Sequence, residues 1–471
     1  MNLWIDVTDT FFTWSGTPSG IQRTLIGLAA ASAKRSDCGL CLWDHSRNIW
    51  RILPSESFEF GSQQAEIRNK RAPRASTLIY LWRFFLIHAR QAARGSLNAV
   101  RSKQTIDMWE KHPSFRVPLR TPANRFRQFR RNQSLALRDS ASSEATLASL
   151  PPLSFTAGHH AVLFADSHWN RKGILSALKS HATRPLSVGF CHDVLPIERP
   201  DFVGGRSHLD FLSWVAEMQQ LCDQIICNSS YSAARLRATF SVDAPQPPVR
   251  TIKFGNAMSS ESHSKGSRKS LEELLSVHGV RHSHLSAHAA RATDWYLWVG
   301  SLDVRKNVDV LLLAAEGLAQ RGLLRRPIVV VGRPSMGHAY YLHKITHHPD
   351  LRNCVVHVEF ADDDLLHELW QQTVLFLFTS WAEGYGLPVA EALQMRVPVI
   401  ASNATSIPEV AGDLVDYFEP WNSGQLAALI ERFESDPNYR EDLTARAARF
   451  VPTSWNETID DIISGLPQRA G

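Results

Sequence analysis

Short runs of hydrophobic residues recur along the C-terminal half of the chain, and amphipathic stretches separate them. The run Leu-Phe-Leu-Phe at 375–378 is typical of a strand buried on both faces of a parallel sheet. Further strands are predicted at 296–299, 328–331, 355–359 and 397–401, with helices between them. One such helix runs to Gln372, and Asp362 can cap its start. This alternation predicts an α/β fold built on parallel sheets.

The same alternation begins at the N-terminus, where a strand at 3–7 precedes a glycine-bearing loop at 15–23 and a helix to about residue 35. The Ser- and His-rich stretch 259–291 is predicted to be a linker with a short helix at 271–277. We therefore expect a first domain over 1–258, the linker, a second domain over 292–452, and a C-terminal helix and tail over 453–471. A length of 471 residues suffices for two domains of ordinary size.

A glycine-rich turn at 380–388, Ser-Trp-Ala-Glu-Gly-Tyr-Gly-Leu-Pro, joins a predicted strand to a predicted helix, since proline suits the first helical turn. Four of its backbone amides lie where a helix N-terminus binds phosphate well: those of Gly384, Tyr385, Gly386 and Leu387. Glu383 and Glu391 flank the turn, and carboxylates accept hydrogen bonds from hydroxyls. The pattern indicates a nucleotide sugar, which carries a diphosphate between hydroxyl-rich groups. The alternative is a capped strand–turn–helix of any α/β protein, with Glu391 solvated.

A second turn carries two adjacent cations. The predicted strand at 296–299 leads into Arg305 and Lys306, and an apolar helix follows at 308–318. A fixed cation stabilises the charge that develops on a departing diphosphate and so lowers the barrier electrostatically. A merely solvated cation pair is disfavoured at a helix start, because it opposes the helix dipole.

These patterns together resemble the family-4 retaining glycosyltransferases. The resemblance rests on E-x7-E at 383–391 with Gly-Tyr-Gly-Leu-Pro inside, Arg-Lys-Asn at 305–307, His-Asp-x-x-Pro at 192–196, the glycine loop at 15–23 and N-x-x-x-x-P-E at 403–409. It covers most of 1–30 and 185–465, and is closest to bacterial O-antigen and exopolysaccharide enzymes, among them GDP-mannose-dependent mannosyltransferases. It implies the GT-B fold: two Rossmann-like domains face each other across a cleft, and the last helix, at about 453–464, crosses back onto the N-terminal domain.

The resemblance also implies roles for the residues. Glu383 would lie by the transferred sugar, and Glu391 would hold the ribose of the nucleotide. Lys306 would contact the diphosphate, with Arg305 as its helper. His192 would lie near the donor sugar at the end of a strand.

Two further positions belong to the predicted donor site. Gly20 would let the backbone approach the donor phosphate. Ser301 occupies the position after the strand where many members of the family carry a basic residue. Arg305 is therefore the predicted second cation of the donor site. Asp193 either orients His192 or caps the turn that follows, and the sequence leaves both alternatives open.

The composition and the cysteine and histidine patterns indicate whether a metal site or disulfides are expected. With 44% hydrophobic and 21% charged residues, the chain has the composition of a soluble globular protein. The six cysteines include one close pair, at 38 and 41, which is not a zinc pattern, and the histidine pairs lack ligand spacing. We expect no metal and no cofactor besides the donor, as in the family. Because neither a signal peptide nor a membrane-length run is found, a cytoplasmic, thiol-reduced protein is expected.

One basic segment is not covered by the resemblance. Residues 61–131 hold 16 Lys and Arg against three acids, a net charge of +13, which leaves −8 for the rest of a chain whose total is +5. Arg83, Arg90, Arg94 and Arg101 share one face of a predicted helix that also carries apolar residues. The segment fits a helix in an anionic membrane interface or, equally, an insertion packed on the first domain. Binding of nucleic acid by the Arg- and Phe-rich stretch 125–131 is disfavoured, since no nucleic-acid motif accompanies it.

The sequence therefore predicts a retaining glycosyltransferase. It would move a sugar, with mannose from GDP-mannose the leading prediction, to a lipid-linked glycan in bacterial surface polysaccharide (lipopolysaccharide or exopolysaccharide) synthesis, at the cytoplasmic face of the membrane. The alternatives are another GT-B enzyme, such as a nucleotide-sugar epimerase, or a non-catalytic nucleotide-sugar-binding protein.

Overall fold

The computed structural model describes residues 1–13, 19–54, 147–156, 158–170, 173–203, 207–256, 268–280 and 285–468. Three predictions from the sequence concern other parts of the chain. The basic segment 61–131, with its four helix-face arginines, lies outside the described residues. So do residues 15–18 of the glycine loop and residues 259–267 and 281–284 of the predicted linker.

The first domain is a seven-stranded sheet with helices on both faces. Its strands are β1 (Asn2–Asp6), β2 (Cys38–Asp44), β3 (Ile49–Leu53), β4 (His160–Phe164), β5 (Leu186–Cys191), β6 (Gln224–Cys227) and β7 (Val249–Thr251). Its helices are α1 (Thr8–Thr13), α2 (Gly20–Ser32), α3 (Ile174–Lys179), α4 (Leu195–Glu198), α5 (Ser207–Leu221) and α6 (Ser230–Thr239). The strand order is β3-β2-β1-β4-β5-β6-β7. All neighbouring strands are parallel except β2 and β3.

The second domain is a six-stranded parallel sheet of order β10-β9-β8-β11-β12-β13. Its strands are β8 (Trp295–Val299), β9 (Ile328–Val331), β10 (Val355–Val358), β11 (Thr373–Phe378), β12 (Val399–Ser402) and β13 (Asp416–Phe418). Its helices are α7 (Leu271–Val277), α8 (Ala287–Ala290), α9 (Val308–Gln320), α10 (His338–His347), α11 (Asp363–Gln371), α12 (Leu387–Gln394), α13 (Ile407–Ala411), α14 (Ser423–Ser435) and α15 (Pro437–Ala447). Each half is thus a doubly wound, Rossmann-like domain, as predicted.

Strand β8 shows how the second sheet is buried on both faces. Successive side chains of a strand point to opposite faces of the sheet. Trp295 and Leu297 accordingly lie in one hydrophobic cluster, together with Trp370 of α11. Tyr296 and Trp298 lie in the cluster on the other face. Because both faces are covered by helices, the strand needs no polar alternation, which explains its continuous hydrophobic run.

The predicted linker contributes to the core of the second domain. Helix α7 has the predicted bounds, and Ser270 caps it in a capping box with Glu273. Leu271, Leu274 and Leu275 are buried in the same cluster as Trp295. The described residues of this stretch therefore pack on the second sheet.

The last helix, α16 (Trp455–Ser464), returns to the first domain, which confirms the predicted crossover. The Trp455 ring lies against Gly27 of α2 and Gly255, where a Cβ atom would overlap it. Arg35 reaches Asp460 at 2.6 Å. Within the described ranges, no helix is both long enough and apolar enough to cross a membrane.

Candidate active site

The two predicted turns meet because their strands are neighbours. Strands β8 and β11 pair in parallel, so both end at the same edge of the second sheet. The amide of Trp381, after β11, donates to the carbonyl of Arg305, after β8, at 2.8 Å. The hydroxyl of Thr379 donates to the carbonyl of Lys306 at 2.9 Å. Ligands of doubly wound sheets bind at this edge, so the turns lie where a site is expected.

Glu383 lies between the two predicted cations. Its Oε1 is 2.6 Å from Nζ of Lys306, and its Oε2 is 2.7 Å from a guanidinium nitrogen of Arg305. The hydroxyl of Ser380 donates to the same Oε1 at 2.6 Å. Lys306 and Glu383 are both buried, at 7% and 8% exposure. The structure thus brings three predicted site residues into one buried ionic cluster.

Electrostatics keeps the carboxylate charged. Burial disfavours the ionised form of Glu383, but attraction by Arg305 and Lys306 outweighs it and lowers the pKa to about 2. Burial lowers the pKa of Lys306 from its ordinary value, against the attraction of Glu383. Burial likewise opposes the charge of Arg305, yet its pKa is raised by the nearby Glu383, Asp303 and Asp193.

The N-x-x-x-x-P-E turn at 403–409 forms hydrogen bonds with the backbone of the glycine-rich turn at 380–388. The amide of Glu383 donates to the hydroxyl of Thr405 at 2.8 Å, and that hydroxyl lies 2.9 Å from the Glu383 carbonyl. The hydroxyl of Ser406 donates to the carbonyls of Glu383 and Tyr385, each at 3.0 Å. Short hydroxyl side chains therefore fix the backbone that carries the carboxylate.

Gly384 and Gly386 are glycines for different reasons. Gly386 has φ 104°, a conformation that disfavours any side chain, and helix α12 begins directly after it. A Cβ atom on Gly384 would overlap the carbonyl oxygen of His192 and lie 2.9 Å from Cβ of Asp193. The carbonyl of Gly384 accepts a hydrogen bond from the hydroxyl of Ser229 at 2.7 Å. The turn is therefore docked directly on the first domain.

Tyr385 and Leu387 complete the turn. The ring of Tyr385 packs edge-to-face on Phe254 of the first domain, with centroids 4.7 Å apart, and burial raises its pKa to about 12. Leu387 is the first residue of α12. Its side chain is half-buried.

His192 is at the C-terminal end of β5, as predicted. Its Nε2 donates to the carbonyl of Ala165 at 2.7 Å. Burial lowers its pKa to about 4, so the ring is neutral near neutral pH. The carboxylate of Asp193 accepts from the amide of Leu195 at 3.0 Å. Of the two alternatives for Asp193, the structure shows the cap of the following turn.

The two remaining predicted positions, Gly20 and Ser301, are placed without a ligand-like contact. Gly20 opens α2, and a Cβ atom there would meet nothing within 4 Å. Ser301 donates its hydroxyl to the carboxylate of Asp303 within its own turn. Asn307 ends that turn at φ 53°, a left-handed conformation that asparagine tolerates better than most residues.

Glu391 contacts Arg23, a residue without a predicted role. Arg23, in the first turn of α2, forms an ion pair with Oε1 of Glu391 across the two domains. The only signal in the sequence was the position of Arg23 at the end of the glycine loop.

Glu409 is a second residue without a predicted role. Its carboxylate accepts from the amides of Ser230 and Tyr231, at 2.6 and 3.2 Å, where α6 begins in the first domain. An acidic group at a helix N-terminus is stabilised by the helix dipole. In the sequence, Glu409 is recognisable only as part of the N-x-x-x-x-P-E turn. A sequence pattern does not identify a contact with a residue 179 positions away.

Metal ligands are not gathered anywhere in the part of the chain that the structure describes, where no three His, Cys, Asp or Glu residues form a group that could hold an ion. All six cysteines are free thiols. An apolar cavity in the first domain lies beside His192, lined in part by Trp169, Phe211 and Trp214.

Residues 289–450 match the family model described as glycosyl transferases group 1. Serotype-specific mannosyltransferase WbdA of Escherichia coli is 24% identical over 282 residues, 59% of this chain and 33% of that protein. O-antigen chain mannosyltransferase B of Escherichia coli is 30% identical over 169 residues, 36% of this chain and 44% of that protein. The chain thus spans about a third of the length of the first relative (33%) and under half (44%) of the second.

Among solved structures, Anabaena HepE in complex with UDP and glucose superposes with a TM-score of 0.55. The match covers 99% of this chain and 100% of that one, at 16% identity. A match at this low sequence identity shows similarity of fold only.

Proposed function

We propose that this chain is a retaining glycosyltransferase that uses a nucleoside-diphosphate sugar. The match of residues 289–450 to the glycosyl transferases group 1 family model supports the proposal. One observation carries the proposal: Arg305 and Lys306 lie with Glu383 at the ends of adjacent parallel strands, beside the N-terminus of α12. Two cations and a helix N-terminus form an anion site, and the carboxylate adds a partner for hydroxyls.

The diphosphate of the donor competes with Glu383 for the two cations. In the structure the carboxylate neutralises both, so an incoming diphosphate exchanges one anion for another. Glu383 is then released to accept hydrogen bonds from hydroxyls of the transferred sugar. This exchange avoids leaving two buried cations without a counter-charge, which is costly.

Bond cleavage places further negative charge on the departing nucleoside diphosphate. Lys306, Arg305 and the amides that open α12 are fixed before the reaction begins, so they stabilise that charge without reorganising. The sugar becomes oxocarbenium-like, and the acceptor attacks on the face that the leaving group vacates. Retention of configuration and a course without a covalent intermediate follow from the family resemblance. His192, neutral and held by Ala165, borders the sugar side of the site.

The finer proposal is transfer of mannose from GDP-mannose to a lipid-linked glycan in surface polysaccharide synthesis. Both Escherichia coli relatives are named mannosyltransferases, and the second is named for the O-antigen chain. The apolar cavity beside His192 gives the first domain a surface on which an acceptor can rest.

A donor panel tests the proposal on the whole chain. GDP-mannose, UDP-glucose and UDP-N-acetylglucosamine are compared by the rise in Tm that each causes, since a ligand that binds only the folded state stabilises it. We expect the largest rise with GDP-mannose and, with a lipid-linked mannoside acceptor, an α-linked product by NMR. No stabilisation by any donor contradicts the proposal. Release of free nucleotide and an altered sugar without acceptor supports the epimerase alternative instead.

A further inference from the structure

Arg23 links the two domains at the nucleotide end of the site. It lies one turn into α2, whose start is fixed by a capping box between Ser19 and Gln22. Its partner Glu391 lies one turn into α12, the helix whose N-terminus belongs to the proposed anion site. The pair therefore joins a helix of the first domain to the donor-binding helix of the second.

Only one of the two carboxylate oxygens of Glu391 has a hydrogen-bond partner among the described residues. Arg23 holds Oε1, whereas Oε2 is buried and has no hydrogen-bond partner among the described residues. The residue as a whole is 5% exposed. A buried ionised oxygen without a donor is costly, and native structures rarely leave one unexplained. The free oxygen therefore indicates a donor that arrives with a ligand.

A ribose hydroxyl has the chemistry that this oxygen needs. Glu391 is four residues beyond the first residue of α12, so it lies about one turn from the amides proposed to bind the diphosphate. In a nucleoside diphosphate the ribose is directly next to the diphosphate. The guanidinium of Arg23 supplies a counter-charge to the buried carboxylate of Glu391.

We propose that Arg23 is a positioning residue for the donor nucleotide: it holds one oxygen of Glu391 and thereby presents the other to a ribose hydroxyl. The inference rests on the proposed function and adds to it a specificity-determining residue from the opposite domain. Recognition of the ribose then depends on both domains, since the cation and the carboxylate come from different ones.

The test measures discrimination between nucleotides that differ only in the ribose hydroxyls. Dissociation constants of GDP and 2′,3′-dideoxy-GDP are determined by calorimetry for the wild type and Arg23→Ala, with UDP and its dideoxy counterpart in parallel. We expect the wild type to prefer the ribonucleotide about tenfold or more, the scale of one hydrogen bond to a charged group. In Arg23→Ala this preference should fall close to one.

Arg35→Ala is the matched control. Arg35 follows the same helix α2 and bridges to Asp460 of α16 at 2.6 Å, away from the donor turns. Its removal also deletes an arginine and its ion pairs, with Asp37 and Asp460. Because these pairs do not involve Glu391, the preference for the ribonucleotide should stay unchanged. If Arg23→Ala does not fold, Arg23→Met keeps the apolar stem and carries the same expectation.

The outcomes separate the two proposals. An Arg23 variant that folds and keeps the wild-type preference for ribonucleotides contradicts the positioning role alone. A loss of preference in Arg35→Ala as well also contradicts it, because the effect is then general. A wild type that binds neither GDP nor UDP contradicts the proposed function, and the inference with it.

Discussion

At the scale of single residues, Glu383 has contacts that a ligand must replace. Its two oxygens contact Lys306 and Arg305, and Ser380 donates a third hydrogen bond. A carboxylate paired with two cations is a poor hydrogen-bond acceptor for a sugar hydroxyl. It becomes a better acceptor when one of the cations binds a different anion. If the proposed function holds, donor binding and release of the carboxylate are one event.

Lys306→Ala should reduce transfer far more than it reduces stability. Arg305 remains to neutralise Glu383 in the variant, so the fold keeps a counter-charge, but one stabilising contact to the leaving group is lost. A loss of about 3 kcal/mol of transition-state stabilisation is the expected scale. Turnover and Tm are compared with those of Lys179→Ala, which removes a lysine paired with Asp223 in the first domain. Near-normal turnover in Lys306→Ala would rule out its contact with the diphosphate.

Glu383→Gln should show a stability effect that depends on pH. The pKa of Glu383 is about 2 in the folded protein and about 4.3 in an unfolded chain. Since the folded value is the lower one, the ionised carboxylate stabilises the fold above the unfolded pKa, and this contribution is lost as pH falls towards the folded pKa. The difference in Tm between wild type and variant should therefore narrow below about pH 4. A difference that stays constant over that interval would contradict the ionic role of Glu383.

At the scale of elements, the hydrophobic pattern predicted most of the second sheet. Strand β9 has the predicted bounds, and β8, β10 and β11 differ by one or two residues. Strand β12 begins at Val399 rather than at 397, because Pro398 cannot donate to the sheet ladder. Strands buried on both faces and caps such as Asp362 are local signals, so a single sequence carries them.

The contacts within the site could not be predicted from the sequence, because they join residues that are far apart along the chain. The ion pair of Arg23 and Glu391 joins positions 368 apart, and the packing of Tyr385 on Phe254 joins two domains. Residue types and motif order indicated Glu383, Lys306 and Arg305 as one site. They did not indicate that, in this structure, the carboxylate neutralises both cations, since that depends on the turn geometry after β8 and β11.

Gly384→Ala tests the contact between the glycine turn and the first domain. The added methyl would overlap the backbone carbonyl of His192, which has no rotamer to adjust, so the turn must move away. Overpacking of this kind costs about 1–3 kcal/mol. We expect reduced kcat, a larger radius of gyration by solution scattering and a lower Tm. Gly317→Ala is the control, since a Cβ atom there meets nothing within 4 Å. Unchanged kcat and scattering would contradict a contact that matters for transfer.

At the scale of the whole molecule, charge is separated along the chain. The segment 61–131 carries +13 and the remaining residues −8. The described strands and helices of the two domains, and the crossover helix α16, all lie outside this segment. A lipid-linked acceptor would lie in an anionic membrane surface, and each cation near such a surface contributes about 1 kcal/mol to binding.

The last prediction is that this segment docks the protein on the membrane that carries its acceptor. Wild-type protein should float with anionic liposomes and much less with neutral ones, and added salt should weaken the electrostatic part. Reversal of Arg83, Arg90 and Arg94 to Glu should abolish flotation. Reversal of three exposed arginines of the second domain, Arg321, Arg432 and Arg449, changes net charge equally and should leave flotation largely intact, since their exposed pairs contribute little. If the wild type floats equally poorly with both liposomes, the segment does not dock on membranes. If both triple variants lose flotation alike, net charge rather than the arginine face drives the binding.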